Sequence, residues 1–159
     1  MTQLQLRDAI ENDYPAFFRL FAQMQGEHAE QFPEFLRDPK ESLLHREYFS
    51  SLLQDPAVEM VVAECSGEVA GYVIFLISTG PENVFEKVST RVHLEQLVID
   101  QAHRQRGFAT QLLDYVVRYA RDRDISLLSL DVWDFNSKAQ RLFEQHGFRA
   151  ISKTLVRKL

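Results

Sequence analysis

Two kinds of spacing between apolar residues divide the chain into ten predicted elements. Strands are predicted where apolar and polar residues alternate or β-branched residues cluster, namely at residues 4–7, 58–65, 68–77, 92–99, 126–132 and 148–157. Helices are predicted where apolar residues recur every three or four positions, namely at about residues 13–25, 41–54, 108–120 and 137–146. The order β-α-α-β-β-β-α-β-α-β predicts an α/β (α+β) fold, in which a mixed sheet carries helices on both faces. No repeat or linker interrupts it, so residues 1–159 are predicted to form a single domain.

Residues near the ends of the first two predicted helices indicate where they begin and end. Asn12 or Asp13 is predicted to cap the first helix, with Pro15 tolerated in its first turn. Residues 26–42 contain two prolines and scattered acids, which favours a loop or a broken helix. The second helix is predicted to place four apolar residues on one side, namely Leu43, Leu44, Tyr48 and Leu52.

Glycines mark two further boundaries. Ser66-Gly67 fits a two-residue hairpin turn between the strands at 58–65 and 68–77. Gly147 is predicted as the residue that follows the last helix.

The strand at residues 92–99 changes phase in its middle. Val92 and Leu94 share one face, whereas Leu97 and Ile99 are the apolar pair further along. One extra residue near Glu95-Gln96 would bring both pairs to the same face, as a β-bulge does. The alternative is a regular strand buried on both faces, in which alternation is not required.

The joint between that strand and the next helix has the features of an anion site. A short loop carries Arg104, Gln105, Arg106 and Gly107, and an amphipathic helix follows at once. First-turn N–H groups have no intrahelical partner, the helix dipole is positive there, and glycine lets a phosphate approach the backbone. The joint therefore predicts a phosphorylated ligand held by main-chain amides. No Lys-Ser or Lys-Thr follows Gly107, which excludes a GxxxxGK[ST] nucleotide loop.

Composition narrows the classes of protein only mildly. The chain is 45% hydrophobic and 26% charged, which is ordinary for a soluble globular protein. Its net charge of −5 argues against general nucleic-acid binding and favours cationic substrates. Cys65 is the single cysteine, so no intramolecular disulfide forms and a cytoplasmic location is expected. The sequence has no apolar signal segment and no run near the roughly 18 apolar residues of a membrane span.

Three segments in order resemble the GNAT family of N-acetyltransferases. Arg104-x-x-Gly107-x-Ala109 resembles the family's acyl-CoA pyrophosphate loop. The run from His93 to Asp100 resembles its central strand, and Val132–Phe148 resembles its second signature, a helix opened by Asn and closed by Gly-Phe.

The resemblance implies acetyl-CoA as the cosubstrate and assigns residues to it. The implied contacts lie on the central strand, in the loop and first turn, and on the second signature, namely Leu97, Val98, Ile99, Arg104, Gln105, Arg106, Gly107, Phe108, Ala109, Thr110, Asn136 and Phe143. Asn136 is expected both to cap its helix and to bind the pantetheine. No metal is expected.

The transfer needs a base, because an alkylamine is mostly protonated at neutral pH. Glu95 is in the strand position where several relatives have a glutamate that serves as general base, and His93 is a second candidate. The alternative for Glu95 is a solvated residue of the strand or bulge. The family often protonates the thiolate with a tyrosine, but this chain has Phe143 there. Water or another tyrosine would then protonate the thiolate. Phe143 would either pack against the pantetheine or belong to the apolar core on its helix.

The acceptor is predicted to be a small primary amine. In such proteins the early helix and the loop after it typically cover the acceptor site, and acids there would suit a cationic amine. The alternative is an ordinary exposed acidic loop. The residues concerned are four acids and one histidine, namely Glu27, His28, Glu30, Glu34 and Asp38. Trp133 and Phe135 are either substrate wall or core. Two other functions stay open, namely a protein or peptide N-acetyltransferase and a non-catalytic CoA-binding sensor or interaction domain. Neither nucleic acid nor membrane is an expected partner, and a homodimer is left open.

Overall fold

The computed structural model describes residues 4–41 and 45–159. Five strands and four α-helices follow one another in the described chain, with short 3-10 turns at Glu11–Asp13, Pro39–Glu41 and Gln101–His103. The elements are β1 (Leu4–Asp8), α1 (Tyr14–Gln31), α2 (His45–Gln54), β2 (Val58–Cys65), β3 (Glu68–Thr79), β4 (Thr90–Ile99), α3 (Phe108–Arg121), β5 (Leu128–Leu130) and α4 (Ser137–Gln145).

The strands form one mixed sheet in the order β1-β2-β3-β4-β5. The first four strands pair antiparallel, and β5 pairs parallel with β4. The β2–β3 turn is Ser66-Gly67, with φ values of 54° and 81°. Positive φ at both central residues is the geometry of a type I′ hairpin, so the predicted turn is confirmed.

Each face of the sheet is covered by helices, as the predicted α/β fold requires. On one face, Phe75 and Leu94 pack with Leu112 and Val116 of α3. On the other face, Tyr72 packs with residues of α1 and α2 that include Phe17 and Phe49. Among the described residues, no helix is long and apolar enough to cross a membrane.

The phase change in β4 is a bulge, as predicted. Leu94 pairs with Phe75 and Gln96 pairs with Ile74, so Glu95 is the extra residue. Because of this insertion, Leu97 and Ile99 pack against the same core as Leu94.

The predicted boundaries of the first two helices need correction. Helix α1 continues to Gln31 instead of ending near Gln25, through residues predicted as loop. Contacts distant in sequence stabilise these last turns, since Ala29 is buried and Glu27 binds Gln101 and Arg104. Asp13 precedes α1 but gives it no side-chain cap. Its carboxylate instead accepts bonds from Arg7 and from the N–H of Ile10. The described part of the second helix begins at His45, and the predicted positions of Leu43 and Leu44 lie outside the described residues.

The last predicted strand is wrong for the chain as described. Residues 149–159 form neither strand nor helix in this segment, and all of them are exposed. Strand β5 is also shorter than predicted, ending at Leu130. Alternation indicates that a segment can form a strand, but a strand needs a neighbour with which to exchange hydrogen bonds.

Candidate active site

A cleft opens where β4 and β5 separate. The two strands share three pairs, of which the last is Leu94 with Leu130. The bulge residue Glu95 follows directly, and β4 continues to Ile99 without a partner on that side in the described chain. The cleft has a volume of about 110 Å³ and is lined by Glu95, Gln96 and Leu97 from β4 and by Asp131, Val132 and Trp133 from the segment after β5. Main-chain groups of β4 past the bulge are therefore available to a ligand.

Two carboxylates flank one imidazole at the start of the cleft. Nε2 of His93 lies 3.9 Å from Oε1 of Glu95 and 3.7 Å from Oδ2 of Asp131. The other ring nitrogen of His93 is 2.8 Å from the hydroxyl of Ser129. The Glu95 side chain is 51% exposed, so it reaches solvent and cleft alike. Glu95 and Asp131 both line the cleft, so each carboxylate can face an amine bound there.

The residue after the bulge is held by two tyrosines. The hydroxyl of Tyr72 donates a 2.8 Å bond to Oε1 of Gln96, and Nε2 of Gln96 donates a 3.4 Å bond to the hydroxyl of Tyr48. Burial raises the pKa of Tyr72 well above its usual value. Burial also raises the pKa of Tyr48, and the negative charge of Glu95 adds to that effect. Both phenols therefore stay protonated and can act as donors at neutral pH.

The end of β4 is tied to α1 through an ion pair. The side chain of Asp100 accepts from the N–H of Ala102 and pairs with the guanidinium of Arg19. Burial opposes a charge on Asp100, but the bonds from Ala102 and Arg19 outweigh it and lower the pKa of Asp100. Arg19 also donates a 3.0 Å bond to the carbonyl of Val69. These contacts fix the point at which the chain leaves the sheet for the predicted anion loop.

The anion loop has the backbone geometry that a phosphate site requires. Gln105 and Gly107 have φ values of 63° and 76°, and beyond the two chain neighbours of Gly107 no described residue lies within 4 Å of the position that its Cβ would take. Gly107 precedes α3 and provides no side-chain cap, so the N–H groups of the first turn remain free to bind a ligand. Phe108 is buried and anchors the helix start. The arrangement fits a pyrophosphate on main-chain amides.

The two arginines of the loop differ in their surroundings. Arg104 donates a 3.1 Å bond to Glu27 and a 3.3 Å bond to the carbonyl of Ile99. Arg106 is exposed, and no side-chain hydrogen bond or ion pair joins it to the described part of the chain. Arg104 therefore links the loop to α1, whereas the side chain of Arg106 can reorient toward a bound anion.

The second signature segment borders the cleft. Oδ1 of Asn136 accepts a 3.1 Å bond from the N–H of Ala139, so the predicted cap is confirmed. Asn136 and Phe143 both line the cleft. Phe143 is half-buried and packs edge-on against Phe148 at 5.6 Å, so it contributes to the core and faces the cleft.

An aromatic cluster borders the cleft through His28 and Trp133. Phe32 packs against Trp133 and Phe135, each at 5.6 Å, and His28 packs against Phe135 at 5.5 Å. Burial lowers the pKa of His28, which favours its neutral form. Trp133 lines the cleft, whereas Phe135 stacks on Trp133 and is not among the lining residues, so contact of either ring with a substrate stays a prediction.

The structure brings together part of the predicted set. Glu95, Leu97, Asn136 and Phe143 share the cleft. The side chains of Val98 and Ile99 pack into the cores on opposite faces of the sheet, so ligand binding there remains a prediction for their main chain.

Several cleft residues were missed by sequence reasoning, namely Met24, Leu94, Gln96, Leu130, Asp131, Val132 and Ala139. Alternation along the predicted strand could have placed Leu130 and Val132 together, but nothing local indicated Met24. Among the described residues, no group of three or more His, Cys, Asp or Glu side chains is placed to hold a metal ion.

Comparisons with known proteins agree with this geometry. Residues 20–148 match the family described as Acetyltransferase (GNAT) family. An uncharacterized N-acetyltransferase in the pepI 3' region of Lactobacillus delbrueckii subsp. lactis is 22% identical over 157 residues, covering 96% of this chain and 88% of that protein.

Two solved structures show the same fold. The tetramutant of the BH1408 protein from Bacillus halodurans superposes with a TM-score of 0.90 at 22% identity, covering 98% of this chain and 99% of that one. The aminoglycoside N-acetyltransferase AAC(6')-Iy in complex with CoA superposes with a TM-score of 0.76 at 19% identity, covering 100% and 96% of the two chains.

Proposed function

The chain belongs to the acetyltransferase (GNAT) family, and on that premise we propose that it transfers the acetyl group of acetyl-CoA to the primary amine of a small molecule, with Glu95 as the base. The observation that carries the proposal is the separation of β4 from β5 immediately beyond Leu94 and Leu130, beside the bulge residue Glu95. It places a carboxylate in the cleft, next to main chain of β4 that has no partner on that side in the described chain.

GNAT acetyltransferases use acetyl-CoA, and the residues of this chain fit that cosubstrate. The free N–H groups at the start of α3, with Gly107 open to close approach, would hold the pyrophosphate. Arg106 would add charge, and Asn136 and Phe143 would border the pantetheine. Bound acetyl-CoA supplies a thioester whose carbonyl carbon accepts the amine.

Glu95 is proposed to remove the proton from the ammonium form of the acceptor. The amine nitrogen then forms a bond to the acetyl carbon, the carbon–sulfur bond breaks, and a proton goes to the departing thiolate. Phe143 has no proton to donate, so water is proposed for that last transfer. The nearby His93 can exchange a proton with Glu95 through solvent, since their side chains are 3.9 Å apart.

A small cationic acceptor suits the surroundings of the cleft. Glu95 and Asp131 supply negative charge, and His28 and Trp133 of the aromatic cluster line the cleft. Aromatic rings beside two carboxylates favour a compact cationic acceptor. Glu27, one of the acids predicted to face the acceptor, accepts hydrogen bonds from Arg104 and Gln101. It would therefore influence the site by holding the anion loop in place.

The test is release of free thiol from acetyl-CoA in the presence of a panel of polyamines, aminoglycosides, amino acids and peptides. Turnover with small amines supports the proposal. Turnover with peptides alone would make this a protein or peptide acetyltransferase. Binding of CoA without turnover on any acceptor would favour the non-catalytic sensor.

A further inference from the structure

One row of side chains on α1 contacts the connection between β4 and α3. The row consists of Arg19, Gln23 and Glu27, which are four residues apart and therefore lie on the same face of the helix. Arg19 pairs with Asp100, and the side-chain oxygen of Gln23 accepts a 3.3 Å bond from the N–H of Gln101. These two contacts and those of Glu27 tie α1 to the connection at three successive turns.

Glu27 makes the contact nearest to the anion loop. Its Oε1 accepts a 2.8 Å bond from the side chain of Gln101 and a 3.1 Å bond from the guanidinium of Arg104. Arg104 belongs to the anion loop, three residues before Gly107. The side chains of Glu27 and Arg104 are 45% and 39% exposed, and exposed ion pairs of this kind contribute little stability by themselves. The contact is therefore one that a ligand ordering the loop can strengthen.

The next row on α1 faces the cleft. Met24 and His28 each follow a residue of the first row, and both line the cleft. The ring of His28 lies 6.5 Å from that of Trp133, another lining residue. One stretch of helix, residues 23–28, thus contacts the anion loop and its connection with one row of side chains and the cleft with the other.

Helix α1 is anchored more firmly near its start than near its end. Arg19 donates a 3.0 Å bond to the carbonyl of Val69 and pairs with Asp100, which is 8% exposed, so this contact joins the helix to the sheet. The contacts of Glu27 lie at the surface instead. Local opening has the lowest free energy where contacts are exposed, and here that is the C-terminal part of α1.

We propose that Glu27 is a positioning residue that couples the two binding sites. The inference rests on the proposed function, because it takes the anion loop as the site of the acetyl-CoA pyrophosphate. When the pyrophosphate orders Arg104, that side chain holds Glu27 in place. The C-terminal turns of α1 then become rigid, and His28 and Met24 become fixed beside the cleft. An acceptor that binds to fixed side chains loses less conformational entropy, so cosubstrate and acceptor raise each other's affinity.

The test uses 3′-phosphoadenosine 5′-diphosphate, the part of CoA that remains without its pantetheine arm. This probe can occupy the anion loop without filling the cleft, so a response of the cleft has to travel through the protein. Trp133 is the single tryptophan of the chain, and its fluorescence therefore reports the cleft. Hydrogen exchange at residues 27–31 reports the end of α1, and exchange at residues 108–110 reports occupancy of the loop.

Glu27→Ala removes the contact, and Gln25→Ala is the matched control. Gln25 lies in the same turn of α1 but donates its 2.9 Å bond to the carbonyl of Arg37 instead of contacting the anion loop. Both variants place alanine in the same helix, so a general effect on helix stability is common to them. Glu27→Gln keeps the shape of the side chain and removes its charge, and it replaces Glu27→Ala if that variant does not fold.

Saturating probe should slow exchange at residues 27–31 by at least about fivefold and change the Trp133 emission, both in the original chain and in Gln25→Ala. Glu27→Ala should lose both responses while its loop still binds the probe. Responses that persist in Glu27→Ala overturn the coupling, and so does an original chain whose loop is protected without any response at α1 or Trp133. In those two cases the proposed function stands. If neither the probe nor CoA protects the loop, the pyrophosphate site itself is wrong, and the coupling with it.

Discussion

Tyr72 holds Gln96 by a 2.8 Å hydrogen bond from its hydroxyl to the side-chain oxygen. Tyr72 is fully buried between β3 and the helices α1 and α2, whereas Gln96 lines the cleft beside the bulge. The core thus positions the residue that follows Glu95. A rigid partner for the bulge keeps the proposed base in a defined place, as catalysis requires.

Replacing Tyr72 by Phe should loosen the bulge. The change removes one hydrogen bond and should lower the free energy of unfolding by about 1 kcal/mol, measured by urea denaturation, and should lower kcat more than the affinity for acetyl-CoA. Tyr48→Phe is the control, because its 3.4 Å bond lies at a side chain that is 41% exposed. Equal effects of the two variants on kcat would contradict a positioning role specific to Tyr72.

Gly107→Glu should abolish the rise in melting temperature that acetyl-CoA produces. The new side chain would fill and charge the approach to the first-turn amides of α3. Gly67→Glu is matched to it, since both glycines have positive φ, 76° and 81°, and open space around them. Both variants carry the same backbone strain, so only the loss of the acetyl-CoA response distinguishes them. A normal response from Gly107→Glu would mean that the pyrophosphate binds elsewhere.

Glu95→Gln should lower kcat by roughly a hundredfold or more, as expected for loss of a general base. Acetyl-CoA binding, measured by calorimetry, should change little. Asp131→Asn removes the other carboxylate beside His93 and serves as the comparison. If Asp131→Asn carries the loss and Glu95→Gln does not, the base is Asp131. If neither variant is slow at any pH, His93 or solvent removes the proton.

Phe143→Tyr should maintain or raise turnover. The ring is half-buried and borders the cleft, so a hydroxyl there can face the departing thiolate without being buried. Phe148→Tyr, at the ring against which Phe143 packs, is the control and should not change turnover. A stability loss of about 1–3 kcal/mol for Phe143→Tyr, the cost of a buried hydroxyl without a partner, with unchanged CoA affinity would remove Phe143 from the site.

Asp13 should make stability sensitive to acid. The hydrogen bond from Arg7 lowers the pKa of Asp13, and the N–H of Ile10 adds to this against the opposing effect of burial. Because the pKa of Asp13 is lower in the folded state, its contribution to stability is fully present at pH values above the unfolded pKa of about 3.9. That contribution is lost as the pH falls through the folded pKa. The melting temperature should therefore decrease as the pH is lowered below about 4. Asp13→Asn should remove that part of the decline, and an unchanged profile would show that other carboxylates cause it.

Most of the fold could be predicted from the sequence because it depends on neighbours in the chain. The type I′ turn at Ser66-Gly67 requires two residues that tolerate positive φ, and the bulge at Glu95 follows from the phase of four apolar residues in one strand. The loop ending in Gly107 could also be predicted from adjacent residues, because glycine tolerates the positive φ that such a loop requires.

Only the tertiary structure decided which distant residues share a site. Met24 and Asp131 join Glu95 in the cleft, and Glu27 binds Arg104, across separations that no local pattern encodes. Packing likewise extended α1 to Gln31, and residues 149–159 lie outside the sheet although their sequence alternates as a strand does. Propensity and turn geometry act between adjacent residues, whereas ion pairs, clefts and strand pairing depend on where the folded chain places residues far apart in sequence.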